Sequence, residues 1–161
     1  MDLDADAILT TATDLPIAMF GADCALIALV SDEGVIAIVH AGWRGLVQGV
    51  VERTVEAMRA RGASGIHAYC SPMIHPECYE FSPADLDGLA ARLGESVRAK
   101  TRWGSAALDL PRGVEDALFR AGVRGLESLG GCTACEGGWF SFRARGDDAR
   151  HALVVWRSAD E

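Results

Sequence analysis

Ala25-Leu26-Ile27-Ala28-Leu29-Val30, then Ser31-Asp32-Glu33-Gly34, then Val35-Ile36-Ala37-Ile38-Val39-His40: two apolar runs flank a polar turn, and their reading decides the fold. Each run is short and dense enough to be a buried strand. The turn offers a glycine for a positive φ, so an antiparallel hairpin is expected. The second strand ends on His40 and leads into Ala41-Gly42-Trp43-Arg44-Gly45. Packing alone would favour an apolar residue at position 40, and would not need Trp43 and Arg44 between glycines. Sixteen positions upstream of His40 stands Cys24.

In an antiparallel hairpin the index sums of facing residues are constant. Cys24 faces His40 if Val30 opposes Gly34 across a three-residue loop, Ser31-Asp32-Glu33, with Gly34 as a left-handed bulge. Facing Cβ atoms would then lie about 4.5–5.5 Å apart. A loop of two or four residues would put thiol and imidazole on opposite faces. If they meet, the imidazole can take the thiol proton and leave a nucleophilic thiolate. Alternatively both can bind zinc, with a third ligand from His67, His75, Cys78 or another molecule. The structural alternative is a buried free cysteine beside a histidine bonded to a backbone carbonyl.

Outward from the hairpin, Ile17 to Phe20 reads as another strand. From Gly45 the period changes: Val47, Val50, Val51, Thr54, Val55 and Met58 predict an amphipathic helix that stops at Gly62. Ile66 to Cys70 is a further strand. Ser82-Pro83-Ala84-Asp85 opens a helix with a cap, an early proline and an acid in the first turn. Leu86, Leu89, Ala90 and Leu93 line its buried face, and Gly94 ends it. A third helix runs from Pro111 to Ala121, and Val123 to Leu129, Trp139 to Phe142 and Ala152 to Trp156 are read as strands. Hairpins mixed with helical crossovers predict a layered α+β fold with a mixed sheet.

With 161 residues and neither repeats nor linker-like tracts, one domain over residues 1–161 is expected. The net charge of −8 argues against nucleic-acid or anionic-membrane surfaces. The longest apolar stretch, Leu15 to Val30, is broken by Gly21 and Asp23 and does not suit a membrane span. Acids at Asp2, Asp4 and Asp6 stand where a signal peptide carries basic residues. Five cysteines are an odd number and are read as reduced thiols. The expectation is a cytoplasmic protein acting on a small molecule.

Ala22-Asp23-Cys24 with His40-Ala41-Gly42-Trp43-Arg44-Gly45-Leu46 resembles the signature of the YfiH-type laccase-domain family, also described as multicopper polyphenol oxidase-like. The resemblance takes in Asp4-Ala5-Asp6-Ala7-Ile8-Leu9-Thr10, Ser71-Pro72-Met73-Ile74 with Cys78-Tyr79-Glu80, and Leu108-Asp109-Leu110. It continues through Cys132-Thr133 and Phe140-Ser141-Phe142-Arg143 to Arg150 and Trp156. It implies a zinc site on Cys24 and His40, and activity on purine nucleosides: phosphorolysis of adenosine, inosine and methylthioadenosine, and adenosine deamination. Removal of misbuilt peptidoglycan precursors is also implied for bacterial members. Asp23, Trp43, Arg44, Ser141 and Arg143 become candidates for substrate contacts, an arginine fork suiting phosphate and Trp43 suiting a flat ring. Purine nucleoside and phosphate are then the expected partners, and a homo-oligomer is compatible with them.

The chain also departs from the family pattern. The family's further N-terminal segment, which carries the third zinc-binding histidine, has no counterpart here. Ser71 stands where glycine is expected, and Ala144 where a second arginine is common. Four histidines without a His-x-His pair cannot furnish a multicopper centre, so copper oxidase chemistry is discounted. The fold also resembles that of the cytotoxic necrotising factor toxins and chemoreceptor glutamine deamidases, which use a Cys–His pair without metal. A metal-free hydrolase or deamidase, or a purine-binding remnant without turnover, therefore stands beside the nucleoside phosphorylase. Cys132-Thr133-Ala134-Cys135 has the spacing of a metal knuckle or redox pair but lacks a second pair, which favours packing. Trp103, Trp139 and Trp156 are read as core or sheet-face residues.

Overall fold

In the computed structural model, which describes residues 5–159, a five-stranded sheet forms the centre. Its strands are β1 (Ala7–Thr10), β3 (Ala25–Val30), β4 (Ile36–Ala41), β5 (His67–Cys70) and β8 (Gly125–Ser128). They run in the order β1-β4-β3-β5-β8, antiparallel except for the β5–β8 pair, so the sheet is mixed. β2 (Ile17–Gly21) pairs with β9 (His151–Val155) in a separate ribbon, and β6 (Arg98–Lys100) with β7 (Ala106–Leu108) in another.

The two faces of the β3–β4 hairpin are both buried, which explains why its sequence is apolar without alternation. Ala25, Ile27, Leu29, Ala37, Val39 and Ala41 belong to the main core with the helices. On the other face Ile36 and Ile38 pack with Ile17 against Met19, Leu153 and Val155 of the β2–β9 ribbon. His40 shares the parity of Ile36 and Ile38 along β4 and stands at the end of that ribbon-covered face.

The helical layer consists of α1 (Trp43–Val47), α2 (Val50–Arg59), α3 (Pro83–Leu93) and α4 (Leu110–Arg120), followed by the short α5 (Phe142–Arg145). The three-and-four pattern from Gly45 onward is thus two helices. Gly49, at φ +73°, interrupts them before α2 buries Val51, Thr54, Val55 and Met58. Full burial of each large apolar side chain in such a stripe is worth about 1.5–3 kcal/mol. Ser82 caps α3 by accepting from the Asp85 amide at 3.1 Å, and Asp109 caps α4 by accepting from the Arg112 amide at 2.9 Å. Among the described residues, no helix is long and apolar enough to cross a membrane.

Three expectations need correction. First, Val30 opposes Ile36 rather than Gly34, and His40 opposes Leu26 rather than Cys24. The loop is Asp32-Glu33-Gly34: the Ser31 amide donates to the Val35 carbonyl (3.1 Å) and the Gly34 amide to the Ser31 carbonyl (3.0 Å). Gly34, at φ +78°, is the last residue of the turn, so the ladder closes at Ser31 and Val35. This shifts the index sum by two, which leaves every side chain on its expected face. Second, Trp139 to Phe142 is not a strand. Ser141 is buried and caps α5, accepting from the Ala144 amide at 3.1 Å. Third, of the core or sheet-face placement expected for Trp103, Trp139 and Trp156, the core half does not hold; they are 53%, 36% and 58% exposed.

Candidate functional site

The cross-strand neighbour of His40 on its β1 side is Asp6. Its carbonyl accepts from the His40 amide at 2.8 Å, and its carboxylate Oδ1 lies 2.9 Å from His40 Nδ1. On its other side the imidazole has the Cys24 thiol as its neighbour, close enough to hold the ring proton in place. With Nδ1 held by Asp6, Nε2 is the nitrogen left for sulfur. A Cβ built on Gly42 would lie 2.8 Å from Cys24 Sγ and 3.9 Å from His40 Cε1, so the absent side chain at Gly42 makes the approach possible. The pair sits at the sheet rim and both residues are half-buried. The neighbouring Cys24 sulfur, and then the hydrogen bond to Asp6, raise His40 from 6.5 to about 9 against the opposing effect of burial.

Asp23 holds the backbone before the thiol. It is a non-glycine residue at φ +89°, a conformation that persists only where surrounding contacts enforce it. Those contacts are plain: its Oδ1 accepts from Thr133 Oγ1 and its Oδ2 from the Arg143 amide, both at 2.7 Å, while its carbonyl accepts from the Ile74 amide at 2.8 Å. Both carboxylate oxygens are thus engaged inside the protein, and the side chain is only 6% exposed. Ser71 does similar work nearby, its hydroxyl accepting from the Leu26 amide at 3.1 Å and donating to the Pro72 carbonyl at 3.0 Å.

Beyond Gly42 an aromatic row leads away from the sulfur. Tyr79 stacks edge-on to Phe81 (4.8 Å between centroids), and Phe81 to Trp43 (6.3 Å). Guanidinium groups cover the row at both ends: Arg143 lies 4.9 Å from the Tyr79 ring and 5.6 Å from Phe81, and Arg44 lies 4.5 Å from the Trp43 ring. Burial pushes the Tyr79 phenol up to about 12, with the nearby Cys24 adding to the shift, so it stays a neutral donor. A groove of 590 Å³ opens between α1 and α3, lined by Trp43, Arg44, Phe81 and Arg92 among others. Neither Cys24 nor His40 lines it; the groove begins with Trp43, three residues beyond His40.

The structure therefore brings Cys24, His40, Asp23 and the backbone of Arg143 into one neighbourhood, with Trp43 and Arg44 along an adjoining wall. The Ser141 hydroxyl faces inward as a helix cap, away from solvent. Asp6, Tyr79 and Phe81 were not among the residues singled out by chemistry. Asp6 carried one usable signal, an acid immediately before a strand that pairs with the His40 strand.

Sulfur and imidazole nitrogen suit zinc, and a carboxylate on the far ring nitrogen is the usual outer partner of a metal-bound histidine. Among the described residues, however, no third donor joins Cys24 and His40. His67 pairs with Val30 and Gly125 at the opposite end of the sheet. Cys78 instead gathers with Cys132 and Cys135. Two donors are one short of the three a catalytic zinc takes.

The sequence profile of the multi-copper polyphenol oxidoreductase laccase family matches residues 2–158. A purine nucleoside phosphorylase of Streptomyces griseus is 36% identical over 154 residues, covering 94% of this chain and 62% of the relative. The crystal structure of YlmD from Geobacillus stearothermophilus superposes with a TM-score of 0.84 at 30% identity, over 95% of this chain and 61% of that one. A Neisseria meningitidis protein superposes with a TM-score of 0.85 at 28% identity, over 97% and 66%. This chain thus spans about three-fifths of the length of the phosphorylase it matches. With the profile running almost end to end and the α+β fold shared, the chain belongs to the multi-copper polyphenol oxidoreductase laccase family.

Proposed function

We propose that this chain carries the Cys–His part of a purine nucleoside site and works in phosphorolysis, the transfer of a nucleoside's sugar from purine to phosphate. The observation that carries the reading is the Asp6–His40–Cys24 relay beside a wall of aromatic rings and arginines. It is joined by the names of the relatives. With its proton held up to about pH 9, His40 is charged at neutral pH and can donate to a departing purine nitrogen. Arg44 and Arg143 suit phosphate oxygens, and Trp43 and Phe81 offer rings on which a purine can stack. Asp6 acts through His40 by fixing the tilt of its ring and favouring its charged form. Asp23 acts through the backbone by holding Cys24 in place.

Zinc on Cys24 and His40 would supply a Lewis acid and an activated water, and it requires a third donor from outside the described residues. Every role assigned above belongs to the side chains themselves. A second reading rests on the same shortage of donors: a thiol, an imidazole and a carboxylate in series form the arrangement of a cysteine hydrolase or deamidase.

The test is release of hypoxanthine or adenine from inosine or adenosine, followed chromatographically with and without phosphate. Phosphate-dependent release that falls about 100-fold or more in Cys24→Ala and His40→Gln supports the proposal. Inosine or ammonia produced from adenosine without phosphate favours the deaminase branch of this chemistry. No release of base or ammonia from any nucleoside, with rapid alkylation of Cys24 by iodoacetamide in chelator-treated protein, overturns the phosphorylase in favour of the metal-free hydrolase.

A further inference from the structure

Cys78, Cys132 and Cys135 converge from two separate segments, and their sulfur atoms all lie within 4.8 Å of one another. Cys78 closes the 3₁₀ turn Pro76–Cys78, while the other two form a Cys-x-x-Cys pair in the loop after β8. All three are free thiols. The missing partner for the Cys132–Cys135 knuckle is thus a single cysteine more than fifty residues away, which spacing along the chain could not reveal.

The surroundings of the sulfurs resemble those of a metal thiolate centre more than those of a packing cluster. The His75 amide points at Cys132 Sγ at 3.4 Å, the kind of backbone N–H that stabilises charge on a ligating sulfur. Glu77 Oε1 lies 3.7 Å from Cys135 Sγ and 3.7 Å from His75 Nδ1, so a carboxylate borders the same point. The loop is braced independently: the Cys132 amide donates to Glu136 Oε1 at 3.0 Å, and the Thr133 amide to the Met73 carbonyl at 3.1 Å. Cys132 is fully buried while Cys135 is exposed, so the cluster has a closed floor and an open side. Tetrahedral zinc, with bonds to sulfur of about 2.3 Å, holds its thiolates about 3.8 Å apart. Small side-chain rotations bring three sulfurs already this close to that spacing.

We propose that Cys78, Cys132 and Cys135 form a zinc-binding thiolate site, distinct from the Cys24–His40 pair, with its fourth position open to solvent on the Glu77 side. Zinc here fastens the Thr133 loop to the Pro76–Cys78 turn. Thr133 donates to Asp23, and Tyr79 follows Cys78, so the metal stiffens two walls of the neighbouring site.

The test uses the full chain, reduced and stripped of metal, carrying Cys24→Ala so that the Cys24–His40 pair contributes no sulfur. Titration with cobalt(II) is followed by the thiolate-to-cobalt charge-transfer absorption, and then by its displacement with zinc. The expected result is saturation at one equivalent with the intensity of three thiolates, and loss of the band in Cys135→Ser and in Cys78→Ser. Cys132 is buried in the core, so its variant is not used. Absence of the band in Cys24→Ala protein overturns the proposal. So does a band that persists when Cys78 and Cys135 are both serine. A Cys132–Cys135 disulfide that survives reductant and leaves only one thiol for cobalt also overturns it.

Discussion

Gly42 meets the sulfur of Cys24 so closely that a Cβ at position 42 would sit 2.8 Å from it. The glycine has an ordinary extended backbone, φ −76° and ψ 173°, so the need for it is spatial rather than conformational. Gly42→Ala should therefore displace the thiol from the imidazole without harming the turn. We expect a loss of stability of about 1–3 kcal/mol from overpacking, read by urea denaturation. His40 should titrate closer to 6.5, read by NMR.

Asp23 binds three segments through one strained residue. Asp23→Ala leaves the Thr133 hydroxyl and the Arg143 amide without their acceptor in a buried setting, and should cost about 2–4 kcal/mol. Asp23→Gly loses the same two bonds but relieves the positive φ, so it should be about 1 kcal/mol less damaging than alanine. Equal losses in the two variants would show that the backbone stores no strain there.

The hairpin turn depends on Gly34. A side chain at φ +78° is strained, and a Cβ there would overlap the Arg157 guanidinium. Gly34→Ala should cost about 1–2 kcal/mol, measured by denaturation. Arg157→Ala should recover only the part due to overlap.

His40 also links stability to pH. Its folded value, about 9, is raised above the ordinary 6.5, so the protonated form is the one the fold favours. The stability it contributes is complete below pH 6.5 and is lost as pH rises through 9. The stability difference between the wild-type chain and His40→Gln should therefore shrink across that window. Glu33 behaves oppositely. Its carboxylate is held down at about 2 by hydrogen bonds from the Ser64 side chain and amide, so its contribution is complete above 4.5 and lost as pH falls through 2.

Arg44 and Trp43 test the wall without touching the relay. Arg44→Ala should raise the KM for phosphate about tenfold while leaving the His40 titration where it is, since an exposed guanidinium over Trp43 supports no buried group. An unchanged KM would remove Arg44 from the site.

Much of this architecture was legible because it rests on local patterns. The apolar density of β3 and β4 announced strands buried on both faces, and Ser82-Pro83 and Gly94 marked both ends of α3. Register was not legible to the residue. A type of loop with three residues fits Ser31-Asp32-Glu33 or Asp32-Glu33-Gly34, and only the packed ladder selects the second. Trp139 to Phe142 has strand composition, but Ser141 closes a helical turn with hydrogen bonds to Ala144 and Asp147 that a propensity cannot foresee. Asp6 and the triplet of cysteines stayed hidden for another reason: each acts across a long sequence separation, where only the fold states the distance.

The relay from Asp6 through His40 to Cys24 is tested most directly by titrating the His40 ring nitrogens by NMR. The chain should show His40 near 9, with Nδ1 protonated above that value, and both Cys24→Ala and Asp6→Asn should move it down. A His40 that titrates near 6.5 in the wild-type chain, and is unmoved by either substitution, would contradict the account.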